Sequence, residues 1–122
     1  MNNKKTLFVS LNSNLYKNTK YRFKRFNINN TKIYNVDIDK LSDVYFDTFD
    51  LIIIDSSLLY SKINDKTLIE VFKENVNKAE IFLLDDESDS PVPENMHISC
   101  VFSEPVLTEQ LWKMMDKVLN KS

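Results

Sequence analysis

Three carboxylates end apolar runs in this chain: Asp55 after LIII, Asp85 after IFLL and Glu104 after CVFS. An apolar run that stops at an acid is the pattern of a buried parallel strand delivering a polar group to its C-terminal end. Sites in open α/β sheets form at those ends. If the three strands are neighbours, three negative groups meet at one rim. Without a built-in cation such groups splay into water, keep a proton or bind a divalent ion. Mg²⁺ or Ca²⁺ held in all-oxygen ligation by Asp55, Asp85 and Glu104 is the sharper reading. The plainer one has Asp55 accepting hydrogen bonds from the loop that follows it, with Asp85 in a solvated acidic turn. A hydrolytic carboxylate pair would need a substrate cleft, which nothing in the sequence indicates.

Little other chemistry is open to the chain. Cys100 is its one cysteine and His97 its one histidine. That excludes an internal disulfide and a histidine pair, and leaves Cys100 as a reduced thiol packed in a strand and His97 as a surface residue. Glycine is absent altogether, which rules out glycine-rich phosphate loops and the dinucleotide fingerprint. Asparagine, which tolerates left-handed turns, is expected to fill the positions glycine would take. With 122 residues, 43% of them hydrophobic and 28% charged, residues 1–122 read as one globular domain around a single core. No run resembles a signal peptide or is long enough to cross a bilayer, so a cytoplasmic location is expected.

The elements that must position these residues follow from periodicity. Strands are expected at Thr6–Leu11, Lys32–Ile38, Asp50–Asp55, Glu80–Leu84 and His97–Ser103, the third buried on both faces and the second near a sheet edge. Helices are expected at Asn14–Phe26, with Leu15, Thr19, Phe23 and Phe26 on one face, and more briefly at Lys40–Asp47, with Leu41 and Val44 inward. Another is expected at Asn64–Asn77, capped by Asn64 or Asp65, with the stripe Leu68, Ile69, Phe72 and Val76. A last helix is capped by Thr108 and faces Leu111, Met114, Met115, Val118 and Leu119 inward, with Trp112 at the border. The stretch DDESDSPVPEN, residues 85–95, is acidic and holds two prolines, and reads as loop. Strands alternating with helices over short connections predict a doubly wound parallel α/β sheet.

Two local signals carry a resemblance to a known family. FDLIIID followed by a loop resembles the third strand of response-regulator receiver domains, which ends in the phosphoacceptor aspartate. VFSEPVLTEQL, residues 101–111, is similar to that family's fifth strand, its Lys-Pro step and the entry into its last helix. The resemblance covers essentially the whole chain. It implies a flavodoxin-like, CheY-like fold with five parallel strands in the order 2-1-3-4-5; the loop reading of residues 85–95 leaves the fourth helix of that fold short or missing. A working receiver holds Mg²⁺ with two acids after the first strand and with the acceptor aspartate. A Ser or Thr after the fourth strand and a Lys after the fifth contact the phosphoryl oxygens, and the metal and ammonium neutralise charge on the transferred group.

Carried over position by position, Asp55 is the acceptor and Pro105 matches. The acidic pair, however, falls on Leu11 and Asn12, the Ser/Thr position on Asp85, and the lysine on Glu104. Asp85 and Glu104 would each repel an incoming phosphoryl group by about 1 kcal/mol at 4 Å in water, and by more where water is excluded. The expected activity is therefore that of a degenerate (pseudo-)receiver, not an enzyme, acting through protein–protein interaction in bacterial two-component signalling or regulation. The alternatives are a functional receiver phosphorylated on Asp55 in a phosphorelay, and a cation-binding or purely structural interaction domain.

Charge identifies a candidate surface. The net charge of −2 hides a segregation: residues 1–36 contain eight Lys or Arg and no acid, and all eighteen acids follow. Lys17, Lys20, Arg22, Lys24 and Arg25 cluster on the first helix, which in receivers is where the phosphodonor protein docks. The expected partner is another protein with an acidic surface, because the acidic remainder would repel a nucleic acid backbone.

Overall fold

The computed structural model describes residues 4–26, 32–85, 96–103 and 108–119. Along the chain it contains β1 (Lys5–Val9), α1 (Ser13–Phe26), β2 (Lys32–Asn35), two 3-10 turns (Ile38–Asp43 and Phe46–Thr48), β3 (Leu51–Asp55) and a third 3-10 turn (Ser56–Tyr60). A small antiparallel hairpin follows, of β4 (Lys62–Ile63) and β5 (Lys66–Thr67), and then α2 (Leu68–Asn75), β6 (Glu80–Asp85), β7 (Cys100–Ser103) and α3 (Thr108–Leu119). The five longer strands form one parallel sheet in the order β2-β1-β3-β6-β7. Counting those five alone, this is the expected 2-1-3-4-5 order of the flavodoxin-like fold, with β2 at an edge as its alternation implied.

The central strand decides the layers. Every residue of β3 is buried, and successive side chains go to opposite faces. Leu51 and Ile53 join Phe8, Phe82, Leu84 and Phe102 in the cluster covered by Leu15 and Phe23 of α1 and Leu111, Met115 and Leu119 of α3. Ile52 and Ile54 join Leu7, Val9, Ile81 and Leu83 under Leu41, Phe46, Leu59, Leu68 and Phe72. Burying a Leu, Ile or Phe side chain contributes about 1.5–3 kcal/mol, so these two clusters carry the fold.

Several expected boundaries shift. The segment Lys40–Asp47 forms two 3-10 turns, which let both Leu41 and Phe46 reach the core. The helix expected at Asn64–Asn77 begins only at Leu68. Asn64 and Asp65 do not cap it but take φ of 52° and 71° at the tip of the β4–β5 hairpin. A two-residue hairpin turn of this hand favours glycine, and without glycine Asn and Asp tolerate the left-handed region best. The cap is Thr67, whose side chain accepts the Glu70 N–H at 3.3 Å; Thr67-Leu68-Ile69-Glu70 is the capping-box pattern. The last strand starts at Cys100, not His97, which is exposed; Cys100 is half-buried against the α1–α3 side. The side chain of Phe26, residues 86–95 of the stretch read as loop in place of a fourth helix, Glu104 and Pro105 lie outside the described residues. No helix among those residues is long and apolar enough to cross a membrane.

At the N-terminal end of the sheet, Asp47 ties a 3-10 turn to the loop before β6. Its carboxylate accepts the N–H groups of Asn77 at 2.9 Å and Lys78 at 3.0 Å, and the Asn77 side-chain amide at 3.3 Å. The Lys78 and Asn77 amides hold the Asp47 carboxyl below its ordinary value. A depressed folded-state pKa means that this stabilisation is fully present above the unfolded-state value and is lost as pH falls through the folded one. Denaturant unfolding of Asp47→Ala is accordingly expected to show lower stability than the parent at neutral pH. The two curves should converge as the pH drops below about 4.

Candidate functional site

Asp55 ends β3 on the parity of Leu51 and Ile53, which directs it to the face covered by α1. It is 5% exposed. Its side chain does not cap the 3-10 turn that follows. Instead it reaches across to the loop between β1 and α1: the Ser10 hydroxyl donates to Oδ1 and the Leu11 N–H to Oδ2, both at 2.8 Å. The register makes this possible, because Val9 pairs with Ile54 and the chain leaving β1 therefore passes beside Asp55. Asp55 thus accepts hydrogen bonds from the loop after β1, where the sequence had pointed to the loop after β3. Hydrogen bonds to a charged acceptor contribute about 1.5–3 kcal/mol each.

The two positions of the family's acidic pair lie at the same rim. The Leu11 side chain is 80% exposed and offers hydrocarbon to solvent. Asn12 is a helix cap: its Oδ1 accepts the Leu15 N–H at 3.0 Å, its carbonyl accepts the Tyr16 N–H at 3.3 Å, and its own N–H donates to Ser10 Oγ at 3.0 Å. Asn is among the preferred N-cap residues, so one local hydrogen bond accounts for it.

Asp85 does not share the parity of Asp55. Asp55 lies opposite Leu84, and Asp85 opposite Ser103. Along β6, Phe82 and Leu84 fall on the face of Asp55, whereas Asp85 follows Ile81 and Leu83. The register therefore separates two of the three carboxylates expected together, and Glu104 is not among the described residues. Among those residues no group of three His, Cys, Asp or Glu side chains is placed to hold a metal ion.

The basic helix is partly as expected. Leu15, Thr19 and Phe23 are buried, and Lys17, Lys20, Lys24 and Arg25 are exposed on the other faces. Arg22 departs from this set. It is half-buried, with its guanidinium 4.7 Å from the Trp112 ring of α3, a cation–π contact that fastens the two helices together. Asn18, Tyr21, Arg22, Arg25 and Thr108 line an open cleft of about 410 Å³ between α1 and the start of α3.

Sequence reasoning missed Ser10, although a hydroxyl closing the run TLFVS at the end of the first strand was visible. It also missed that Arg22 faces α3; Trp112 at the border of the α3 stripe was the available signal.

No protein-family model and no curated protein matches this sequence. Among solved structures, the chain is similar to the non-phosphorylated HemR receiver domain from Leptospira biflexa, with a TM-score of 0.68 and 14% sequence identity. The match covers 98% of this chain and 96% of that one. At that identity the likeness is one of fold: the chain has the receiver fold.

Proposed function

We propose that this receiver-fold domain works by binding another protein in bacterial signalling, without conventional phosphorylation of Asp55. The observation that carries the reading is the state of the rim. Both oxygens of Asp55 accept hydrogen bonds from the β1–α1 loop, and a hydrocarbon and a capping amide stand where metal-binding acids would be. Phosphoryl transfer needs charge neutralisation at the acceptor. A rim with a leucine and an asparagine beside Asp55, in place of two acids, holds Mg²⁺ poorly, since that ion favours hard anionic oxygens. The partner docks through an acidic surface on the exposed Lys17, Lys20, Lys24 and Arg25, beside the cleft at Thr108. Attraction between unlike charges there speeds encounter and fixes register.

The test is a titration of the protein with beryllofluoride and Mg²⁺, followed by amide NMR. The expected result is no saturable shift at Ser10, Leu11, Asn12 or Asp55. Saturable shifts at those residues that vanish in Asp55→Asn would establish a phosphorylatable receiver instead.

A further inference from the structure

The rim carboxylate and the basic helix are joined by an unbroken run of hydrogen bonds. Asp55 takes the Leu11 N–H and the Ser10 hydroxyl proton. Because that proton points to Asp55, a lone pair of Ser10 Oγ is turned to the Asn12 N–H. Asn12 is thereby held where its Oδ1 and carbonyl receive the Leu15 and Tyr16 N–H groups. The first turn of α1 contains no acid; its Ser13 N–H donates to the Leu11 carbonyl, while the Leu15 and Tyr16 N–H groups depend on Asn12. We infer that Asp55 is a positioning residue for α1: the carboxylate at the end of β3 sets the loop that sets the first turn of the helix.

The charge matters beyond occupying space. A carboxylate offers only acceptors, so it fixes the direction of the Ser10 hydroxyl and polarises each bond after it. An amide at position 55 presents one acceptor and one donor group, and cannot receive both protons. The near-complete burial of Asp55 keeps water from replacing the lost bond. Lys17, the first cation of the exposed face, lies in the turn that follows the cap, so an event that removes an acceptor at the rim loosens the part of the helix that carries it. Delivery of that change to a partner rests on the docking reading above; the coupling itself does not.

Hydrogen exchange at single amides, read by NMR in the intact chain, tests the coupling. In Asp55→Asn, Leu11, Leu15 and Tyr16 are expected to exchange roughly tenfold faster, relative to Ile53 and Phe82 in the sheet. Ser10→Ala should free Leu15 and Tyr16 as well, while Ser10→Thr, which restores the hydroxyl, should behave as the parent. Asn12→Ala should free Leu15 and leave Leu11 protected, because it breaks the run beyond Asp55. The double variant Asp55→Asn with Ser10→Ala should free Leu15 no more than the stronger single variant does. The inference is overturned if Leu15 and Tyr16 respond to Asn12→Ala alone, or if in Asp55→Asn and Ser10→Ala they change no more than Phe82. Coupling present together with a partner indifferent to Lys17→Glu would sink the docking reading and leave this one standing.

Discussion

Changing Leu11 and Asn12 together to aspartate is expected to raise the affinity of the rim for Mg²⁺ above that of the parent chain. Leu11 is 80% exposed at the edge of the rim and its backbone N–H, which Asp55 uses, is unaffected by the side chain. Aspartate at position 12 still caps a helix as well as asparagine does. Each added carboxylate attracts a divalent ion by about 2 kcal/mol at 4 Å in water. Part of that is offset by repulsion among the acids in the metal-free state. A net gain in affinity of about tenfold or more is expected, measured as saturable amide shifts at residues 10–13 and 55 during a Mg²⁺ titration. The metal-free double variant should also melt below the parent and recover as Mg²⁺ is added, because an ion that binds only the folded state stabilises it. Equal Mg²⁺ affinity in the parent and the variant would mean that the rim is already a metal site and that the reading of Leu11 and Asn12 is wrong.

The second large effect is expected from reversing Lys17, Lys20 and Lys24 to glutamate at once. These three are exposed on α1, and the core contacts of Leu15, Thr19 and Phe23 are left intact. Removing an attraction worth roughly 1 kcal/mol at each of three sites corresponds to about a hundredfold loss of affinity for an acidic partner. The loss should shrink as salt is raised, since exposed charges are screened within about 8 Å at physiological ionic strength. Titration of the partner at two salt concentrations, beside a melting curve showing an unchanged fold, reads both quantities. Arg22→Glu is the wrong probe for this purpose: its guanidinium packs on Trp112, so its loss unfastens α1 from α3 as well as changing the surface charge. An affinity unaffected by the triple reversal would remove α1 from the interface.

The two predictions address separate halves of the molecule's behaviour. The first asks whether the residue types at positions 11 and 12 set the affinity of the rim for Mg²⁺. The second asks whether the surface that remains still recognises a protein. The run from Asp55 through Ser10 and Asn12 joins the rim to α1 physically, so a change at the rim has a route to the first turn of that helix.

Local pattern in the sequence determined the layers of this protein. The apolar runs in Leu51–Asp55 and Glu80–Asp85 have the length of a strand, and their unbroken apolar character is satisfied by burial on two faces. The stripes of α1 and α3 likewise specified their inward faces, and the resemblance made Asp55 legible as the acceptor position with Leu11 and Asn12 where an acid pair was expected. What those residues touch depends on how distant parts of the chain come together. Ser10 and Asp55 are 45 positions apart, and no local propensity encodes their meeting; it depends on Val9 pairing with Ile54. Register also sent Asp85 to the parity opposite Asp55, although strand-end position alone had grouped them. The packing of α1 on α3 took Arg22 out of the free basic surface, and the left-handed turn at Asn64 and Asp65 moved the start of α2. Periodicity fixes which face a side chain occupies because it acts within a few residues. Partners across the sheet are fixed by pairing register and loop course, which the whole fold settles at once.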